Sequence, residues 1–258
     1  MSAVETKLMQ NNEIFYYDEV DSTNLKALEL AVQGAKEGTV VVAVRQTAGR
    51  GRMQRVWESP AGQGLWFSMV LRPTAAAEYG AQITLLAAVA AAKSLRKLSN
   101  EKFTIKWPND IMIDGKKICG ILSEMALNEA DGIEYIVVGI GINIKMSSED
   151  FGAQLAAAAT SLYLATGITY EREQVLKAFL DEFDQLYQSW QRHGFASIRR
   201  EWLCYNCTLG SQIEVKDNDQ VIYFGTAEDM DDYGSLLVRN AAGEIEKFDF
   251  GEISIRSC

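Results

Sequence analysis

Histidine is almost missing from this 258-residue chain: there is one, His193. A single imidazole in an Arg-flanked, helical context leaves no material for a Ser-His-Asp triad or a multi-His metal site. Basic excess is missing too, since the net charge is -10. A protein that held nucleic acid mainly through phosphates would carry clustered Lys and Arg over at least one domain. Cysteine is scarce, four in all. Cys204 and Cys207 form a C-x-x-C pair, but no second pair or His stands at zinc-ligand spacing, so reduced thiols are expected. Long apolar runs are absent as well. The best, Ile83–Ala92, is too short to cross a bilayer and is closed by Lys93, Arg96 and Lys97. The stretch Met1–Glu13 is polar and is no signal peptide. Cytoplasmic residence without membrane attachment is therefore expected. No G-x-x-x-x-G-K-[ST] loop occurs, and Gly139-Ile140-Gly141 fails as a dinucleotide fingerprint because Ile144 stands where its third glycine should.

What is present is an ordinary globular composition, 48% apolar and 23% charged, which supports a sizeable core. No internal repeat or low-complexity linker is visible. A strand is predicted at Ile14–Tyr17, then a helix through Leu25, Leu28 and Val32, capped by Asp21, Ser22 or Thr23 and ending near Gly34. Thr39–Val44 and Leu65–Leu71 read as buried strands, and Gln82–Leu98 as a buried helix. Short strands follow at Phe103–Trp107 and Ile111–Ile113. Asp114-Gly115 marks a hairpin turn, with Ile118–Met125 as its return and Ile133–Ile144 as a further arm. Helical text fills about 151–166 and 171–192. After Tyr205 come about five short alternating strands, broken at Asp217-Asn218-Asp219, Asp231–Gly234 and Ala242-Gly243, in the manner of a small barrel. The expected fold is α+β: a mixed sheet with flanking helices over 1–205, then a small all-β module over 206–258.

Three polar clusters interrupt the apolar text. Gln46–Arg55, ending at Trp57, alternates Gly with Arg. Its backbone amides can approach an anion closely while guanidinium forks bind the oxygens; the same text also fits a solvated basic loop. Lys106-Trp107-Pro108-Asn109-Asp110, with Lys116, Lys117 and Gly120 beyond, offers a lysine for phosphoryl charge and a carboxylate for magnesium, or else a hairpin with polar ends. Asp21-Ser22-Thr23-Asn24, standing alone, reads first as helix capping.

In this order, and with Lys117–Leu122 and Gly139–Asn143, the clusters resemble the biotin protein ligase family over about residues 14–145. The C-terminal strands look like that family's SH3-like barrel, and the larger part like its class II synthetase-like catalytic domain. The resemblance implies an ATP-dependent ligase that makes biotinyl-5′-AMP and passes biotin to a biotin carboxyl carrier protein. It implies that Ser22, Thr23, Gln46, Gly49 and Arg50 surround biotin, with Gly120, Leu122 and Gly139 lining its pocket. Arg52 and Lys117 then serve both the biotin carboxylate and the α-phosphate. Asn24, Arg55, Trp57, Asn109 and Asn143 fall to ATP or the adenylate, Asn143 to its adenine. Arg52, Lys117 and Asp110 become the catalytic group, Asp110 also holding Mg2+. One departure stands out: where the family loop commonly reads G-R-G-R-x-G-R-x-W, this chain has Gln54 in place of the last glycine. About a dozen residues precede the first strand, too few for a helix-turn-helix, so the monofunctional class without DNA binding is expected. Many relatives pair through a sheet edge or surface loops, so a homodimer is compatible with the resemblance. Lipoate ligases of the same superfamily carry a Gly-Gly-Gly segment with a His-Asp pair, which this chain lacks. A non-enzymatic biotin or nucleotide sensor is the alternative of a different class.

Overall fold

The computed structural model describes residues 13–217, 220–249 and 252–255; the polar stretch before Glu13 and the Asn218-Asp219 turn lie outside them. Seven strands form the larger sheet: β1 (Ile14–Val20), β2 (Val40–Gln46), β3 (Gly64–Leu71), β4 (Thr104–Lys106), β5 (Asp110–Ile113), β6 (Lys116–Leu127) and β7 (Ile133–Asn143). Their spatial order is β1-β2-β3-β7-β6-β5-β4. β1 and β2 pair in parallel, joined by helix α1 (Thr23–Val32), and every other pair is antiparallel. The β5–β6 hairpin turns at Asp114 and Gly115, both at positive φ (49° and 74°), the backbone a type I′ turn needs.

One face of the sheet is covered by α2 (Gly80–Ser99), whose Ile83–Leu95 stretch is almost wholly buried, and α2 in turn by α5 (Arg172–His193). Along α5, Phe179, Phe183, Tyr187 and Trp190 follow helical spacing and stack ring on ring, with centroids 5.7–5.8 Å apart. Four such rings remove a large apolar area from water, which is the main favourable term in packing the two helices. Between them the buried Glu182 carboxylate is held by Lys93 and Lys97 of α2, so the charge is not left alone in the core.

The second sheet is antiparallel throughout, β11-β10-β9-β8-β12, made of β8 (Gln212–Asp217), β9 (Gln220–Met230), β10 (Leu236–Arg239), β11 (Ile245–Phe248) and β12 (Glu252–Ile255). Ile213, Val215, Ala227, Met230, Leu236, Val238 and Ile253 form its buried side.

Three expectations needed correction. The helical text at 151–166 is two short helices, α3 (Gly152–Leu155) and α4 (Leu162–Thr166), because Lys117 exchanges backbone hydrogen bonds with Ala158 and Thr160 and pulls the segment between them into an extended bridge. Helix α6 (Phe195–Tyr205) was not foreseen, although Phe195, Ile198 and Trp202 stand at helical spacing and are buried; the break at Gly194 (φ 71°) separates it from α5. Ser22 occupies the N-cap position of α1, yet its hydroxyl makes no capping bond.

Candidate active site

The site is built on a glycine floor. Gly139 and Gly141 of β7 pair with Leu122 and Gly120 of β6, and alternation in a strand puts 139, 141 and 143 on one face. Each absent side chain leaves room for a neighbour. A Cβ on Gly139 would lie 1.8 Å from Asn24 Oδ1, and one on Gly141 2.4 Å from Trp57 Nε1. One on Gly120 would meet Trp57 at 2.9 Å and Lys117 at 3.1 Å. Along β7 the floor therefore runs from Asn24, past Trp57, to Asn143, four residues or roughly 13 Å. Above it lies a cavity of about 490 Å³.

The Asn24 end is uncharged at its centre and densely hydrogen-bonded. Thr23 N–H donates to Gln46 Oε1 at 2.8 Å, and Gln46 Nε2 donates to Ser59 Oγ at 2.7 Å. Ser68 Oγ, fully buried on β3, donates to Asn24 Oδ1 at 2.6 Å and lies 2.8 Å from Thr23 Oγ1. The Asn24 amide donates to Leu122 O and to Glu124, which also ion-pairs with Arg50. The hydroxyls and amide at the start of α1 thus serve the cavity rather than the helix end, which accounts for the missing cap.

The Gly/Arg loop folds into a flap. Arg50 bridges Val56, Gly51 N–H donates to Arg55 O at 2.7 Å, and Trp57 N–H to Gly49 O at 2.9 Å. Its tip is a single 3-10 turn, Arg52–Gln54, in which Met53 and Gln54 both take left-handed φ, 54° and 59°. Left-handed backbone costs an ordinary residue on the order of 1 kcal/mol relative to glycine. Gln54 therefore holds a left-handed conformation that a glycine would take without strain.

Opposite the Asn24 end, the turn between β4 and β5 and the start of β6 supply the charged groups. Asn109 is buried; its Nδ2 donates to Ile121 O at 2.8 Å, and its Oδ1 accepts from Arg52 at 3.1 Å. Asp110 pairs with Lys117 at 2.6 Å, and the Lys117 ammonium lies 5.2 Å from the centre of the Trp57 ring. Trp57 stands edge-on to Trp66, centroids 6.4 Å apart. Asn143 Nδ2 donates to Thr160 O, closing the far wall. Beside this cluster Cys119 is buried, and burial pushes its thiol well above its ordinary range; the Lys117 charge offsets only part of that. It is a neutral packing group, not a nucleophile.

Every site residue anticipated from the sequence borders this one cavity except Gly49. Gly49 is packed behind it: a Cβ there would lie 2.2 Å from Trp57 O, so it shapes the flap rather than the wall. Asn24, expected on the adenylate, sits at the end away from Asn143, with Thr23 and Gln46. Sequence reasoning missed Ser59, Ser68, Glu124 and Thr160, which tie the cavity residues down from other elements. Ser68, a lone polar residue inside the apolar strand Leu65–Leu71, was the one such residue with a visible signal. Among the described residues no group of three or more His, Cys, Asp or Glu is placed to hold a metal by itself, and no helix is long and apolar enough to cross a membrane.

A seven-stranded sheet carrying a glycine-floored cavity, with a small β module behind it, defines a class. Residues 16–143 match the biotin/lipoate A/B protein ligase family, and residues 208–256 the biotin protein ligase C-terminal domain. The bifunctional ligase/repressor BirA of Bacillus subtilis (strain 168) is 40% identical over 240 residues, spanning 93% of this chain and 73% of that protein. The biotin–[acetyl-CoA-carboxylase] ligase of Paracoccus denitrificans is 35% identical over 227 residues, 86% of this chain and 92% of that one. Among solved structures, the Aquifex aeolicus biotin protein ligase in complex with biotin and ATP superposes with a TM-score of 0.80 at 28% identity, covering 95% of this chain and 99% of that one. The chain belongs to the biotin protein ligase family.

Proposed function

We propose that this chain adenylates biotin with ATP in the cavity over β6 and β7 and transfers it to a lysine of a biotin carboxyl carrier protein, the partner class that the names of its relatives imply. One observation carries the reading: a single cavity with a neutral, hydrogen-bonding end at Thr23, Asn24 and Gln46 and a cationic end at Arg52 and Lys117. A neutral cyclic urea suits the first, and a carboxylate meeting a phosphate suits the second. Apolar walls from Ile121, Leu122 and Ile140 take the biotin body and chain.

In the first step a carboxylate oxygen of biotin attacks the α-phosphorus in line, the bond to the β-phosphate oxygen breaks, and pyrophosphate leaves. Two anions must meet, so the opposing charge is the main barrier. Arg52 and Lys117 reduce it and stabilise charge growing on the phosphorus oxygens. Asp110 borders the same wall, and one carboxylate together with substrate phosphates is a common way to hold Mg2+. Asp110 would hold that ion together with the substrate phosphates, and the ion would neutralise part of their charge when bound. Trp57, Asn143 and Arg55 are assigned to the nucleotide. In the second step the carrier amine attacks the acyl carbon, the bond to AMP breaks, and the amine proton passes to a carboxylate, for which we assign Asp110. No protein nucleophile is required, in keeping with a neutral Cys119 and the lack of a histidine base. We place the boundary between the catalytic part and the β module at Tyr205–Asn206, and the protein in the cytoplasm.

Pyrophosphate release on mixing the protein with ATP, magnesium and either biotin or lipoate tests this. Release with biotin alone is expected. Release with lipoate instead, or with neither acid, would overturn it.

A further inference from the structure

The turn Trp107-Pro108-Asn109 faces two ways. Asn109 enters the cavity wall and meets Arg52. Trp107, 2% exposed, points away: its indole N–H donates to Gly234 O at 3.0 Å and its backbone N–H to Thr208 Oγ1 at 2.8 Å. Both acceptors lie beyond α6, in the C-terminal part of the chain.

Those acceptors are themselves fixed. Gly234 lies in the turn from β9 to β10, where Asp231 Oδ1 accepts the amides of Tyr233 and Ser235, both at 2.9 Å. Asp232 O accepts from Gln82 of α2 at 2.9 Å, and Gln82 is in turn bonded by Trp190 of α5 at 2.7 Å. Gly234 has φ 93°, and a Cβ there would lie 2.5 Å from Leu85, so its carbonyl has little freedom. Thr208 is fully buried, its own N–H taken by Asn206 Oδ1. Cys207 N–H donates to Ile105 O, and Asn206 bridges Ile105. The segment leaving α6 thus runs along the edge of β4, a strand of only three residues.

A three-residue edge strand paired on one side is weakly held on its own. Here its terminal turn is clamped by two buried hydrogen bonds, two residues before Asn109 and three before Asp110. We propose that the C-terminal module sets the geometry of the charged end of the cavity, with Trp107 and Thr208 as positioning residues that keep Asn109 on Arg52 and Asp110 on Lys117. The inference rests on the reading that Arg52 and Lys117 serve adenylation.

The test uses the full chain and two readouts: the rate of biotin-dependent pyrophosphate release, and biotin binding by calorimetry without ATP. T208V removes the acceptor at constant shape, T208S restores it, W107F removes the indole donor while keeping a smaller aromatic ring, and K117A reports on the charged end itself. We expect T208V and W107F to lower kcat by about tenfold or more, the scale of a small misplacement of reacting groups. Biotin Kd should stay within twofold, and T208S should keep the parent kcat. A parent-like kcat in both T208V and W107F overturns the inference, as does a loss of biotin affinity in step with kcat in both. W107F carries the test if T208V does not fold. A parent-like kcat in K117A removes the underlying reading instead; a fall in K117A alone removes only the positioning role.

Discussion

Asn24 stands where a side chain on Gly139 would be: its Oδ1 lies 1.8 Å from the place a Cβ would occupy. The Asn24 amide cannot retreat, because Ser68 Oγ, Leu122 O and Glu124 hold it from three sides. Strand and helix are thereby locked in one register at the neutral end of the cavity. Gly139→Ala should displace Asn24, cost about 1–3 kcal/mol as a small-to-large change in a packed site, and weaken biotin binding by about tenfold or more. Calorimetry with biotin, beside a thermal melt, checks this. Parent-like biotin affinity would mean that Asn24 has no part in binding.

Arg52 joins the flap to Asn109 across the mouth of the charged end. Arg52→Gly should remove a charged hydrogen-bonding partner of the adenylate and speed its escape, by about tenfold or more for one charge-assisted bond. Bystander proteins with exposed lysines should then become labelled. Labelling confined to the genuine carrier would show that other groups retain the intermediate.

The flap's tip is exposed at Met53, Gln54 and Arg55, and two of these residues take left-handed backbone. Segments of this kind open at low free-energy cost. Biotin should slow amide exchange over Gln46–Arg55, because a mixed anhydride sensitive to water needs a covered site. Exchange unchanged by biotin would argue that the flap does not close over it.

The thiols should separate by environment. Burial pushes Cys119 far up and Cys207 up as well, the latter offset in part by Thr104 and Lys106, while Cys204 is exposed. A raised thiol pKa leaves less reactive thiolate at neutral pH. Among the described thiols, iodoacetamide at pH 7.5 should label Cys204 first, Cys207 more slowly, and Cys119 only on unfolding, as read by peptide mass. Rapid labelling of Cys119 in the folded protein would contradict its burial.

Much of this was legible in the chain. A β-branched run marked β2, apolar runs marked β3 and β7, Asp114-Gly115 marked the β5–β6 turn, and the Gly/Arg alternation marked the flap, because these are local preferences of backbone and solvent. Helix α6 was missed since it is short, Ser197 and Arg199–Glu201 interrupt its apolar positions, and Gly194 hides its start. The residues at 151–166 misled because their helical bias yields to a bridge with Lys117, a partner about forty positions away in sequence.

Taken alone, the sequence determined which groups the candidate site would own: the Thr23–Asn24 pair, the three arginines of the flap, Asn109, Asp110 and Lys117, and the glycines that leave space for them. Composition and short motifs suffice for that, because each depends on residue type and near neighbours. Only the tertiary structure decided where along the cavity each group stands. It set Asn24 over Gly139 and Trp57 over Gly141, removed Gly49 from the wall, and hung the Asn109 turn on Thr208 and Gly234. These relations join residues up to 127 positions apart, and they follow from which volumes can coexist in a packed interior and which buried N–H groups must find an acceptor.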